Sequence, residues 1–467
     1  ILELHQGGKS QMLAWTYYFL HNEFDKADPA ISQRLRYELQ RRELDPYLQR
    51  DDFWWMAAKA NGKTMVNNWN PWCNSNALLC FMLLENNRDT LDMAVEKSMR
   101  SVDKYLNYVK SDGACEEGPT YWMHATGKVY DYLEALSLIT NGRISLFQHP
   151  MIRRMGEYIA NSYIGDGWVV NFADASAQSE ASPLLIYRCG QLSDDNHMRG
   201  VAVAINKQFP AKLTTNWMDF FPALENLKME KLIRNDHSLF KLPRFVWYPQ
   251  TEVCFMRNSH YFLGAKGGYN DESHNHNDIG SCVFYKDDIP FLIDVGVGTY
   301  TRQTFSADRY KIWTMQSDYH NLPVINGFSQ RYGRTYKAEG AVTSEKKSFF
   351  RLDLHNAYPK DAGVEKWIRS YQLENTGLMV NDQFEIRNAS KANVEHFMTW
   401  GSVDDSREGE ITIAVKDKTA TLYYDPDCFT VKVEKIALDD PRLSKVWGNS
   451  VIAKKTTDVG NYSFKIK

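Results

Sequence analysis

Phe245-Val-Trp-Tyr-Pro-Gln-Thr-Glu-Val-Cys-Phe-Met256 marks the point where the chain changes texture. From here on, β-branched and aromatic residues fall in short runs bounded by Gly, Asn, Asp and Pro, the pattern of strands and turns. His260 to Lys266, Ser281 to Tyr285, Phe291 to Val295, Asp382 to Ile386, Ile411 to Val415 and Thr421 to Tyr424 continue it. Phe429 to Lys435 alternates apolar and polar residues, as a half-buried strand does. Upstream the period is helical. Val95, Met99, Val102, Leu106 and Val109 recur at spacings of four and three, and the stripe stops at Ser111-Asp112-Gly113. His149 to Tyr163 repeats it with Met151, Met155, Ile159 and Tyr163, stopping at Gly165-Asp166-Gly167. The two Asp-Gly stops lie 54 residues apart, which suits a helical hairpin with its loops. Helices first, then strands with no helices between them, predict an α+β multidomain chain. Successive helical hairpins predict a helical solenoid or an (α/α) toroid at the N-terminus, followed by antiparallel β-sheets or a β-sandwich. The boundary is predicted around Asn235-Asp236-His237, giving a helical domain 1–235 and a strand domain 236–467, divided again near 360–390.

Composition narrows the function. The 467 residues are 43% hydrophobic and 24% charged, an ordinary globular balance. Net charge is -3 and no long basic run occurs, which argues against a nucleic-acid partner. The longest apolar window, Ala77 to Leu84, falls far short of the ~18 residues of a membrane span. Seven cysteines without a CxxC pair read as buried thiols rather than a disulfide framework. The chain begins at Ile1 rather than Met, so upstream processing or truncation is expected.

Three clusters can carry chemistry. Ser273-His274-Asn275-His276-Asn277-Asp278 places two histidines at i and i+2, on one side of an extended segment. Eighteen residues beyond His276, Asp294 ends an apolar strand, and His320-Asn321 follows a polar stretch. His276, Asp294 and His320 can supply N, O and N ligands to zinc with one position open; equally, Asp294 can pair with one histidine and bind no metal. Asn67 to Asn76 holds five asparagines with Trp69 and Trp72, a composition poor for a helix interior and good for a ligand-facing loop. The plainer alternative is a set of caps for the helix from Ala77. Finally, Glu117-Gly-Pro-Thr-Tyr121-Trp122-Met-His124 opens a helix running to about Leu138, with Tyr121 and His124 on one face. A tyrosine there is often only packing.

Together these segments resemble the heparinase II/III-like polysaccharide lyases, which include some alginate lyases. The resemblance rests on His274-Asn-His-Asn-Asp-Ile-Gly-Ser, Asp294-Val-Gly, His320-Asn, Glu117-Gly-Pro-Thr-Tyr121 and Asn-Trp-Asn-Pro-Trp-Cys-Asn74. It implies β-elimination on a uronic-acid polysaccharide, most readily a heparin or heparan sulfate-type glycosaminoglycan, with alginate or another uronate polymer as the alternative. Tyr121 and His274 fall on catalytic positions, and Asn74 on the residue that neutralises the uronate. His276, Asp294 and His320 fall on the ligands of one zinc, mainly structural. Asn70, Trp72, Glu117, Trp122, His124 and Tyr310 are the implied substrate contacts. Some members place a histidine in the Asn74 segment, where this chain has none, and the helical part is short for a complete family toroid. The resemblance further implies an acidic polysaccharide partner and a periplasmic or secreted location; the oligomeric state stays open, a dimer among the options.

The chemistry fits these residues independently. A uronate C5 proton becomes acidic only when the carboxylate is neutralised and the enolate-like charge held. Asn74, helped by Asn70 or His124, suits that task; Tyr121 can move the proton to the leaving oxygen, and His274 can act from the opposite face. A glycoside hydrolase would instead need two carboxylates flanking the bond, for which Glu116, Glu117 and Asp174 are the candidates. A non-catalytic glycan binder would use Trp69, Trp72 and Trp122 and have no need of Tyr121 or His274.

Overall fold

The computed structural model describes residues 2–61, 64–211, 220–436, 438 and 446–467. The chain packs as two compact units, and neither is one stretch of sequence. The first holds Ile1–Cys115, Tyr121–Ala160 and Ala181–Lys241; the second holds Glu116–Thr120, Asn161–Glu180 and Leu242–Lys467. The 1–235 and 236–467 division therefore misses two early segments that pack with the strands.

In the first unit the helix Trp69–Leu84 is the hub, packed by Leu4–Ala27, Arg88–Tyr108 and Thr126–Ile139. Ala77, Leu78, Leu79, Cys80 and Phe81 are all buried, and a helix apolar on every side must be covered on every side. Arg88–Tyr108 starts where the Asn87 side chain accepts the Thr90 N–H at 3.0 Å. Its buried line is Ala94, Ser98, Ser101, Val102 and Tyr105, one position off the predicted stripe. Small residues let it lie close to the hub, and Val95, Met99 and Leu106 flank the contact half-buried. The second predicted helix is Pro150–Ser162. The helix expected from Glu117 to about Leu138 is two, Gly118–Trp122 and Thr126–Ile139. Trp122, fully buried, sends its indole N–H to the Met155 carbonyl at 2.8 Å, and Ala125 leaves helical geometry with φ -100° and ψ -81°.

The second unit is built on two antiparallel sheets. One runs Phe429–Ile436, Val446–Ala453, Val394–Trp400, Ile289–Leu292, Cys282–Lys286, Tyr261–Lys266, Val253–Arg257 and Phe245–Tyr248, with Pro323–Val324 paired beside Val394–Trp400. The other has eight strands: Glu339–Ser344, Phe349–Asp353, Val364–Glu374, Gly377–Ile386, Val459–Ile466, Lys418–Tyr423, Glu410–Val415 and Ser402–Asp404. Alternate residues of both close one core, including Leu263, Phe284 and Phe291 from the first sheet with Phe350, Trp367, Phe384 and Phe464 from the second. Each such side chain contributes roughly 1.5–3 kcal/mol by burial. Residues 360–390, where a further division was predicted, hold the Val364–Glu374 and Gly377–Ile386 hairpin inside the eight-stranded sheet. Of the cysteines, Cys73, Cys80, Cys189, Cys254 and Cys282 are buried thiols, Cys115 is half-buried and Cys428 is exposed. No helix among the described residues is long and apolar enough to cross a membrane.

Candidate active site

The second unit gathers its polar groups around Asp174, in the loop Asn171-Phe-Ala-Asp-Ala-Ser176. The Asp174 side chain is fully buried, and such a carboxylate must be ringed by donors. It is. Oδ2 accepts from His274 Nδ1 at 2.9 Å and from the Tyr300 hydroxyl at 3.0 Å; Oδ1 accepts from His276 Nε2 at 3.1 Å and from Arg309 Nη2 at 2.6 Å. Burial alone would raise this acid, but the histidine hydrogen bonds and the Arg309 charge outweigh it and hold Asp174 well below the usual carboxylate range.

His274 and His276 meet on one carboxylate, though not by the predicted route. The segment is a turn rather than an extended strand, and His274 sits at φ 58°, in the left-handed region. The Arg309 guanidinium fixes that backbone by donating to the His274 and Asn275 carbonyls at 3.1 and 3.2 Å. With Nδ1 turned to Asp174, His274 places Nε2 4.0 Å from Glu117 Oε2. Burial pushes Glu117 up to about 7 against the opposing pull of His274, so it holds a proton close to neutrality. Gly118 makes this placement possible: at φ 84°, a Cβ there would lie 2.4 Å from the Phe172 carbonyl. Tyr310 donates to Asn275 Oδ1 at 2.6 Å and stacks on Tyr332 at 4.4 Å, and burial raises its hydroxyl above the ordinary tyrosine range.

Behind His276 lies the predicted ligand set. His276 Nδ1 and His320 Nε2 are 3.3 Å apart, Asp294 Oδ2 is 3.5 Å from His320 Nε2, and the three donor atoms lie within 4.8 Å of one another. All three residues are buried, and Asp294 Oδ2 has no hydrogen-bond partner among the described residues. Two ring nitrogens facing each other beside an orphaned carboxylate oxygen suit a shared cation. Each histidine is oriented from behind, His276 by Asp174 and His320 by the Gln316 carbonyl at 2.9 Å, as metal-ligating imidazoles are. Asp294 stands two residues past the end of Ile289–Leu292 rather than within a strand. Asn321 ties the ligand loops together: its Nδ2 donates to the Cys282 and Ile293 carbonyls at 2.7 and 3.1 Å, and its own carbonyl accepts from Arg369 at 3.0 Å.

The first unit carries the remaining predicted residues. Tyr121 and His124 are both half-buried, their rings edge to face at 6.1 Å. His124 lies flat on Trp72, with centroids 4.9 Å apart and planes within 2°. The asparagine cluster is a loop only at Asn67 and Asn68; the rest is helix. Asn70 and Asn74 stand inside the Trp69–Leu84 helix at 0% exposure. Asn70 Nδ2 donates to the Trp55 and Ser101 carbonyls at 2.9 and 3.1 Å. Asn74 Nδ2 donates to the Asn70 carbonyl and Ser101 Oγ at 2.7 and 2.9 Å, while Oδ1 accepts from the Tyr47 hydroxyl at 2.7 Å. Neither amide is presented to a ligand here; together they bolt the hub helix to its neighbours. Trp122, sealed in the core, is likewise no substrate contact. Asn74→Ala should therefore lower stability by about 1–3 kcal/mol, because the buried Tyr47 hydroxyl loses its acceptor. A thermal melt unchanged from wild type would contradict this role.

Three residues of the site escaped the sequence reading. Arg309 and Tyr300 were not singled out, and Asp174 entered only as a hydrolase carboxylate. The available signal was Asp174 itself, an acid in the apolar run Val169 to Ala175 that needs a partner somewhere.

Residues 241–434 match the family model described as heparinase II/III-like, C-terminal. No curated protein matches the sequence. Among solved structures, a heparinase III gene product superposes with a TM-score of 0.69 at 16% identity, covering 93% of this chain and 63% of that one. A further heparinase III gives 0.64 at 15%, covering 98% and 68%. A mutant of the heparan sulfate lyase HepC from Pedobacter heparinus gives 0.62 at 13%, covering 94% and 64%. At these identities the likeness is one of fold, and the chain spans a little under two thirds of the first and last of these proteins. The helical region followed by antiparallel sheets is thus the heparinase III-like fold, and within it residues 241–434 are similar to the heparinase II/III-like C-terminal family.

Proposed function

We propose that this protein is a polysaccharide lyase that cleaves a uronic-acid-containing glycan by β-elimination, leaving a 4,5-unsaturated uronate end. The observation that carries the reading is His274, oriented by a buried ionised Asp174 within a heparinase II/III-like domain. Asp174 fixes the tautomer so that Nε2 can take the C5 proton. Tyr121 passes a proton to the leaving C4 oxygen, and serves as base where both groups lie on one face of the sugar. With Asn74 engaged in the core, His124 beside Tyr121 is the group left to meet the carboxylate. A heparin or heparan sulfate-type polymer is the first candidate, alginate the second. Polymers of that size and charge do not cross membranes, which supports a periplasmic or secreted location.

One observation favours a hydrolase: Glu117 is pushed up while Asp174 is held down, the divergence seen in acid–base carboxylate pairs. Asp174, however, is buried and engaged by four donors, so it cannot serve as a nucleophile or base on a glycosidic bond. The deciding experiment incubates the protein with a panel of purified uronate polymers. Elimination yields ultraviolet-absorbing ends; new reducing ends without absorbance would replace this reading with hydrolysis.

Zinc is the metal that two imidazoles and one carboxylate suit best. His276, Asp294 and His320 would hold it, and it would act by fixing the turn that carries His274. Protein purified without chelator should contain about one zinc per chain. His276→Ala should lower both zinc content and melting temperature, whereas elemental analysis finding no stoichiometric metal would refute the assignment.

A further inference from the structure

Beside Asp174 and Asp294, the second unit holds a half-open pocket of about 270 Å³ that the reaction above does not use. That is near the lower end of ligand pockets, ~300–1,000 Å³, and fits a single ring better than a chain segment. Trp168, Tyr285 and Trp400 form aromatic walls, with Trp168 edge-on to Trp400 at 5.6 Å and tilted to Tyr285 at 6.2 Å. Asn171 and Gln178 add amides to the lining. The Trp168 indole N–H is buried with no acceptor among the described residues, a donor still to be satisfied. No lysine, arginine or histidine lines the cavity among the described residues, and the charged groups that do, Asp174 and Asp294, are carboxylates.

We propose that this cavity is a subsite for one uncharged pyranose ring. Aromatic faces take the apolar C–H face of a sugar, while amide and indole groups meet its hydroxyls. A carboxylate or sulfate would enter without a charged donor among the lining residues, so the subsite discriminates against uronate and sulfated rings. Only the choice of a sugar as occupant rests on the lyase reading.

The test is a ligand-observed NMR titration of the whole protein with methyl β-glucoside, N-acetylglucosamine and glucuronate. The neutral sugars should bind, and the part of glucuronate binding that Trp400→Ala removes should be at least about tenfold weaker. Trp400→Ala should weaken neutral-sugar binding about fivefold. Gln178→Ala, at an exposed position, should weaken it about twofold and serves if the Trp400 variant does not fold. Glucuronate binding as sensitive to the Trp400 substitution as that of the neutral sugars, no binding of either neutral sugar, or unchanged neutral-sugar binding in a folded Trp400 variant would overturn the proposal. The titration requires no turnover, so its failure is distinct from failure of the elimination assay.

Discussion

Tyr121→Phe should lower turnover by about 10²–10⁴ while substrate binding stays close to wild type. Only the hydroxyl is removed. The ring still meets His124 edge to face, and His124 keeps its stack on Trp72, so the local surface of the helical unit is preserved. A group that acts in the transition state alone reduces kcat and kcat/KM together and leaves KM in place. Initial rates of unsaturated-product formation across substrate concentrations give both parameters. A variant retaining more than a tenth of the wild-type rate would exclude Tyr121 as the proton carrier, and a raised KM with unchanged kcat would make it a binding residue instead.

Asp174→Asn should be nearly as damaging, for a different reason. The carboxylate serves two imidazoles, a guanidinium and a phenol at once, and an amide offers one acceptor oxygen and one donor in its place. Whichever way the amide turns, His274 or His276 faces an N–H, and Arg309 keeps its charge without a counter-ion. Loss of the His274 tautomer should lower kcat by about 10²–10⁴, and breaking the buried pair should cost about 3–5 kcal/mol of stability. The pH dependence of stability has a definite sign. Asp174 is depressed when folded, so its contribution is present above the ordinary aspartate range and is lost as pH falls through the folded value. The asparagine variant should therefore lose part of the wild-type decline in stability on strong acidification. Measurements of kcat, melting temperature and zinc content separate the effects. Activity within tenfold of wild type in a folded variant would mean that Asp174 does not orient His274.

The strands were legible because β-branched and aromatic residues fall in short runs between turn residues. Phe245 to Met256 reads as β-rich and forms a hairpin, Phe245–Tyr248 paired with Val253–Arg257. His274, His276 and His320 were legible as chemistry because histidines so spaced in a polar turn have little else to do. Asp174 was not legible in its role, because its partners lie 100 residues and more along the chain and no local period links them. The asparagines of Trp69–Leu84 were misread for a related reason. Asn70 and Asn74 have poor helix propensity and suit loops, but long-range hydrogen bonds to Trp55, Ser101 and Tyr47 override that preference. The helix expected from Glu117 onward broke because a distant carbonyl, that of Met155, captures Trp122.

The interleaving of the two units bears on how this chemistry can be inherited. A fragment beginning at Leu242 would carry His274, His276, Tyr300 and Arg309 but not the aspartate on which all four converge. It would also lack the Asn161–Glu180 segment, whose Tyr163 and Ile164 carbonyls accept from Arg257 at 2.7 and 3.1 Å and whose Val170 packs over Gly264. The family match, 241–434, likewise leaves Asp174 and Glu117 outside its limits. The strand-rich half is therefore not a portable cassette. Grafted onto another scaffold it would bring its imidazoles without their anchor, so recombination that keeps the centre working must move both parts of the gene together.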